Sequence, residues 1–151
     1  MAGKQHFTRK TFKFMADLAD NNDREWFAEN KHRYEADIKD ASLSFIEDFA
    51  THLKKLSPHF MAGPRSLFRI YRDVRFAKDK TPYKTHVSAS FSHQTLPKHE
   101  SAGLYFHLGP DQLWIGGGLY APQTPQLQRI REHIVSNLRS FRTLAESPAM
   151  R

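Results

Sequence analysis

Apolar residues recur every three to four positions through the first third of the chain and every second position through its middle, and this change of period sets the expected architecture. Thr8 is placed to cap a helix in which Phe7 would pack on Phe12 as a hydrophobic staple, with Met15 and Leu18 continuing the apolar side as far as Asn21. Asn22, with Glu25 three residues on, resembles a second capping box. Trp26, Asn30, Tyr34 and Ile38, then Phe45, Ile46, Phe49, Leu53 and Leu56, predict one long helix from Asp23 to Leu56, bent around Ser42 and Ser44 and ended by Pro58.

Beyond Pro64 the period becomes two. Phe68, Ile70, Val74 and Phe76 alternate with Arg69, Tyr71, Asp73 and Arg75, which predicts a strand over Leu67–Phe76. Residues 77–84, with Pro82 and mixed charges, read as a loop. Val87, Ala89 and Phe91 mark a second strand, Leu104, Phe106 and Leu108 a third, Gly109–Gln112 a turn, and Leu113–Gly116 a fourth strand in a hairpin with the third. Thr124 is placed to cap a last helix with Pro125 at its first position and with Leu127, Ile130, Ile134, Leu138, Phe141 and Leu144 on its buried face. The expected fold is α+β: an antiparallel sheet of about four strands with two N-terminal helices and one C-terminal helix packed on it.

The length of 151 residues fits one domain, large enough to bury a core without disulfides or a structural metal. The absence of cysteine excludes a disulfide scaffold, a thiolate metal site and a cysteine nucleophile. The opening residues have no signal-peptide pattern and the chain has no membrane-length apolar run, so a cytoplasmic protein without a membrane partner is expected; the oligomeric state is left open.

Charge is local. The net charge is +7, and Pro64–His86 carries seven basic residues against two acids, which is +5 of it. Arg69, Tyr71 and Arg75 would share one face of the expected strand, where successive side chains at i, i+2 lie about 6–7 Å apart and guanidinium forks suit phosphate or carboxylate. Arg72 falls on the apolar side and must reach a carboxylate, a ligand or solvent. The plainer reading of the same charges is a solvated face balanced by Asp73, Asp79 and the acids of the long helix. Gly116, Gly117 and Gly118 form either a bulge or a close approach to a ligand, and no phosphate-loop signature accompanies them. His86, His93, His99 and His107 lie within 22 residues, with His86 and His107 able to approach across paired strands; their spacing matches no metal motif, so no metal and no cofactor is expected. No motif names a reaction, and whether the protein is an enzyme is left open.

Four stretches, FTRKTFKFMADLADNNDREWFAENKHRYE at Phe7–Glu35, FRIYRDVRFAKDKTPYKTH at Phe68–His86, GLYFHL at Gly103–Leu108 and GGGLYAP at Gly116–Pro122, together resemble the domain of unknown function 2461 family of bacterial and fungal proteins. That resemblance supplies motif positions, namely Asn22, Trp26, Phe27, Lys31, Tyr34, Arg69, Arg72, Asp73, Arg75, Phe76, Lys80, Thr81, Pro82, Tyr83, Lys84, Gly117 and Gly118, but no activity to carry over. Family members usually continue into a Lys/Arg-Gly-Tyr/Phe element and an Asp-His-Pro element; this chain resembles a member lacking that C-terminal part.

Two binding readings follow, and the first is ranked above the second. In the first, Arg69, Arg72 and Arg75 hold a small phosphorylated or carboxylated ligand, Asp73 orients an arginine or acts as acid/base, Gly116–Gly118 closes on the ligand, and Lys80, Tyr83, Lys84 and His86 line the site. In the second, residues 65–86 lie on nucleic-acid phosphates with Tyr71 or Tyr83 stacking on bases, although no known nucleic-acid-binding signature is present. A scaffold without a small ligand is the third alternative.

Overall fold

The computed structural model describes residues 4–97 and 101–150. Helix α1 (Arg9–Asp20) begins at Thr8, whose hydroxyl accepts from the Lys10 amide while the Thr8 amide donates to Thr11 Oγ1. Phe12 stays exposed, so the expected staple does not form. Phe7 instead packs on Phe45 and Phe106, tying the chain entry to the core.

Helix α2 (Arg24–Arg33) is capped by Asp23, whose carboxylate accepts from the Trp26 amide at 2.9 Å. The expected cap, Asn22, is used elsewhere. From α2 the chain passes without interruption through a π-helical segment (Tyr34–Asp40) into α3 (Ala41–Leu56), so the long helix forms as expected with its irregularity just before Ser42. Two buried hydroxyls serve this region's carbonyls: Thr11 donates to Asp37 O and Ser42 to Ile38 O.

Four antiparallel strands, β1 (Phe60–Met61), β2 (Val87–His93), β3 (Gly103–Leu108) and β4 (Leu113–Gly118), form one sheet in chain order. The fold is α+β, an antiparallel sheet with helices. Register assigns the two faces, because directly paired residues point the same way. Val87–Leu108, Ala89–Phe106 and Phe91–Leu104 face the helices, where Phe45 meets Phe106 and Phe49 meets Phe91, each pair 4.7 Å between ring centres. Ser88–His107–Trp114 and Ser90–Tyr105–Gly116 face the other way.

The C-terminal helix has Gln123 at its N-cap in place of Thr124, and it departs from expectation in two further respects. It is divided into α4 (Thr124–Ser136) and α5 (Leu138–Ala145), and none of its residues is buried. Ile130, Leu138, Phe141 and Leu144, expected in the core, are all exposed. An amphipathic pattern marks a helix able to bury a face; what it meets is decided by tertiary contacts.

Candidate functional site

The expected strand over Leu67–Phe76 is replaced by an interrupted edge. After β1 the chain makes a short 3-10 turn at Pro64–Ser66, then touches β2 where Leu67 bridges Ala89 and the Phe68 amide donates to Ser88 O. Next it pairs with the segment leading into β2: Tyr71 bridges Tyr83, Arg72 N donates to Pro82 O, and Lys84 N donates to Ile70 O. Residues 73–81 form the connecting loop. Its carboxylates bend it, since Asp73 Oδ1 accepts from the Arg75 amide and Asp79 Oδ1 from the Thr81 amide. Phe76, expected on an apolar strand face, is almost fully exposed.

The same loop neutralises two of the three arginines. Of the carboxylate, ligand or solvent left open for Arg72, the structure supplies the carboxylate: its guanidinium donates to Asp79 and to the Thr81 hydroxyl. Arg75 grips Asp73 with two hydrogen bonds, 2.9 Å from Nε and 2.7 Å from Nη2. Both carboxyls consequently lie below their ordinary range. Arg75 is the main cause for Asp73; for Asp79 the Thr81 amide leads, with Arg72 next, and its pKa falls to about 2. An anchored Asp73 orients an arginine and stays ionised, so it is a poor proton donor near neutrality. Lys80 closes the loop by donating to Val74 O at 2.8 Å.

Arg69 and Lys84 are arranged differently. Among the described residues the Arg69 guanidinium has no hydrogen-bond or ion-pair partner, and its charge is only one of the weaker influences on the Asp73 carboxylate, which Arg75 occupies. Lys84 Nζ donates to the Arg69 carbonyl at 2.9 Å and sits over the Phe68 ring, 5.5 Å from its centre. Burial, followed by the Arg69 charge, lowers the Lys84 pKa. Two neighbouring cations are thus held on one edge.

Tyr83, expected at the rim, is 6% exposed and stacks on Phe27 of α2 with ring centres 4.0 Å apart. Its backbone is held by Asn22, which donates to Tyr83 O at 2.9 Å and accepts from Tyr83 N at 3.0 Å. The asparagine amide behaves as a short piece of neighbouring strand and fixes the basic segment to the α1–α2 corner. Tyr83 supports the segment from beneath, and the half-exposed Tyr71 packs against both rings.

The glycine run lies elsewhere. Gly116–Gly118 is regular strand in register with Tyr105–Gly103, so it makes no bulge, and β2 and β3 separate it from the arginine segment by roughly 14 Å at ordinary strand spacing. The arginines and glycines do not converge on one cavity. Two shallow depressions lie along α4, at Gln128, Arg131 and Glu132, and along α5, at Arg139, Arg142 and Glu146; neither is lined by the 67–86 segment.

Across the face of the sheet turned away from α3 runs a row of rings that the sequence reading passed over. Phe68 reaches over the small β2 serines to Tyr105 at 6.2 Å, Tyr105 meets Trp114 at 4.9 Å, Trp114 stacks on His107 at 5.3 Å, and His107 stacks on His86 at 4.3 Å. The signal was present: Tyr105, His107 and Trp114 alternate along their strands with the aliphatic and phenyl side chains Leu104, Phe106, Leu108, Leu113 and Ile115. A Cβ at Gly116 would meet the Trp114 ring in ordinary contact at 3.5 Å, so the two positions are neighbours on this face. The expected approach of His86 and His107 is realised.

Burial, then His107, then Lys84 hold the His86 pKa down to about 4, and burial also lowers that of His107. Between the ordinary histidine pKa and that value the unfolded chain binds a proton that the folded chain refuses. Stability should therefore fall as pH drops from about 6.5 towards 4. Urea titrations across this window should show the slope, and His86→Gln should flatten it; an unchanged slope would show that the pair is not its source.

Among the described residues no three His, Asp or Glu side chains gather as a metal site, and no helix is long and apolar enough to cross a membrane; His99 lies outside the described residues. No curated protein and no solved structure matches the chain. The family model described as "Conserved hypothetical protein (DUF2461)" matches residues 10–151, nearly the whole chain and all the elements described above except the start of α1. The clamped basic edge and the ring-bearing sheet are therefore features of a chain that belongs to the DUF2461 family.

Proposed function

We propose that the protein binds an anionic group, a phosphate or a carboxylate, at the edge formed by Arg69 and Lys84. The observation that carries this reading is the contrast among the arginines: Arg72 and Arg75 have carboxylate partners, whereas Arg69 has none among the described residues and stands beside a second cation. Two cations placed together repel, and an anion between them removes that repulsion while accepting charge-assisted hydrogen bonds. The Asn22 clamp and the Tyr83–Phe27 stack hold the edge in place before the anion arrives, which lowers the entropic cost of binding. Lys80, Arg72 and Arg75 shape the loop beside the site and contribute to its positive field.

Inorganic phosphate at low ionic strength is expected to raise the melting temperature saturably, because a ligand of the folded state alone stabilises it. Arg69→Gln should weaken this response by roughly 10-fold or more, as expected for loss of a charge-assisted contact of about 1.5–3 kcal/mol. Arg9→Gln removes the same charge from an exposed position on α1 and should leave the response intact. Equal responses from all three proteins would refute the reading.

A further inference from the structure

From the row of rings beside this edge, we infer that the anion recognised is the backbone of a single-stranded nucleic acid whose bases stack on Phe68, Tyr105 and Trp114. This inference rests on the anion site at Arg69 and Lys84 and names its ligand class. Phe68 and Trp114 are 41% and 46% exposed, so aromatic surface that would ordinarily be buried faces solvent on an open sheet. Their rings and that of Tyr105 continue from strand to strand, beginning at the cation pair: Lys84 lies over Phe68, Phe68 meets Tyr105, and Tyr105 meets Trp114.

The chemistry of this face fits a polyanion with flat rings. Cations collect at one edge. Strands β2, β3 and β4 contain no Asp or Glu, so no carboxylate within them repels a phosphate chain. Ser88, Ser90 and Gly116 keep the floor low between the rings. Stacking is tolerant of base identity, and an aromatic sheet of this breadth accommodates roughly two or three bases. A row open along its length suits an extended strand, whereas a lone small anion would use only the Arg69 end. Duplexes, whose bases are already stacked, cannot use the rings. This platform differs from the one expected from sequence: Tyr83 is buried under the basic edge, and Tyr71, half-exposed, leans on Tyr83 and Phe27 outside the row of rings.

The test is fluorescence-anisotropy binding of short labelled oligothymidylate, oligouridylate and duplex DNA, with uridine monophosphate as competitor. Wild-type protein should bind both single strands and discriminate against duplex. Trp114→Leu and Phe68→Leu should each weaken single-strand binding by roughly 10-fold, and Trp114→Leu, which lies away from Lys84, should leave the phosphate-dependent melting shift unchanged. Arg69→Gln should lower the salt dependence by about 0.7 in the slope of log affinity against log salt. Duplex binding equal to single-strand binding, no loss in either ring variant, or competition by the mononucleotide at the oligonucleotide's own affinity would each overturn the inference. If single strands fail to bind while phosphate still protects through Arg69, this inference falls and the anion site stands; if phosphate protection is also absent, both fall.

Discussion

Tyr83→Ala is expected to destabilise the protein by about 3–5 kcal/mol, in the range of large aromatic truncations in well-packed cores. Tyr83 is nearly buried, its ring lies on Phe27 at 4.0 Å, and Tyr71 packs against both. Removing the ring empties the space between α2 and the basic segment, and the surrounding aromatic rings cannot collapse into it without losing their own contacts. Tyr83→Phe keeps the stack and should remain within about 1 kcal/mol of wild type. Urea denaturation followed by circular dichroism measures both variants. A Tyr83→Ala loss below about 1 kcal/mol would mean that the segment is not anchored through this ring.

Asn22→Ala should lower stability by about 2 kcal/mol, although the residue fills no core space. Its side chain satisfies one amide and one carbonyl of Tyr83 from 61 positions away in sequence, and alanine leaves both groups half-buried without that partner. Asn22→Asp keeps an acceptor for the Tyr83 amide but sets a carboxylate against the Tyr83 carbonyl, so it should not rescue. Because Asn22 and Tyr83 act on the same docking, Asn22→Ala should have a smaller effect in the Tyr83→Ala background than in wild type. Additive losses would show that the two contacts are independent.

Local signals were legible where local rules decide the structure. The Thr8 cap, the stop at Asn21 and strands β2 to β4 follow from capping chemistry and from apolar residues at alternate positions. The edge misled because Phe68, Ile70, Val74 and Phe76 have a strand's period, whereas Asp73 and Asp79 bond nearby amides and turn the chain away before the pattern ends. Asn22 read as a cap because it precedes a helix; its role in holding Tyr83 is a long-range contact that spacing cannot reveal. Within the π-helical segment the Asp37 carbonyl is met by Thr11 from another helix, a contact that spacing along the segment does not reveal.

The site divided along the same line. That the 64–86 stretch concentrates positive charge was a matter of counting, and the need of Arg72 for a carboxylate, a ligand or solvent followed from its phase in the pattern; that the partner is Asp79 did not. Which arginine lacks a partner depends on how the loop folds back, so Arg69, Arg72 and Arg75 could not be told apart beforehand. The glycine run looked like a partner of the arginines because chain order does not show that β2 and β3 lie between them.

The central claim is that Arg69 and Lys84 form a prepared anion site, and the most direct test is a titration of isotope-labelled protein with inorganic phosphate at low ionic strength, followed by nuclear magnetic resonance. Saturable shifts concentrated at Phe68, Arg69 and Lys84, with the amides of α4 and α5 unmoved, are the expected result. Shifts that do not saturate, or that spread equally over the arginines and lysines of the whole surface, would contradict it.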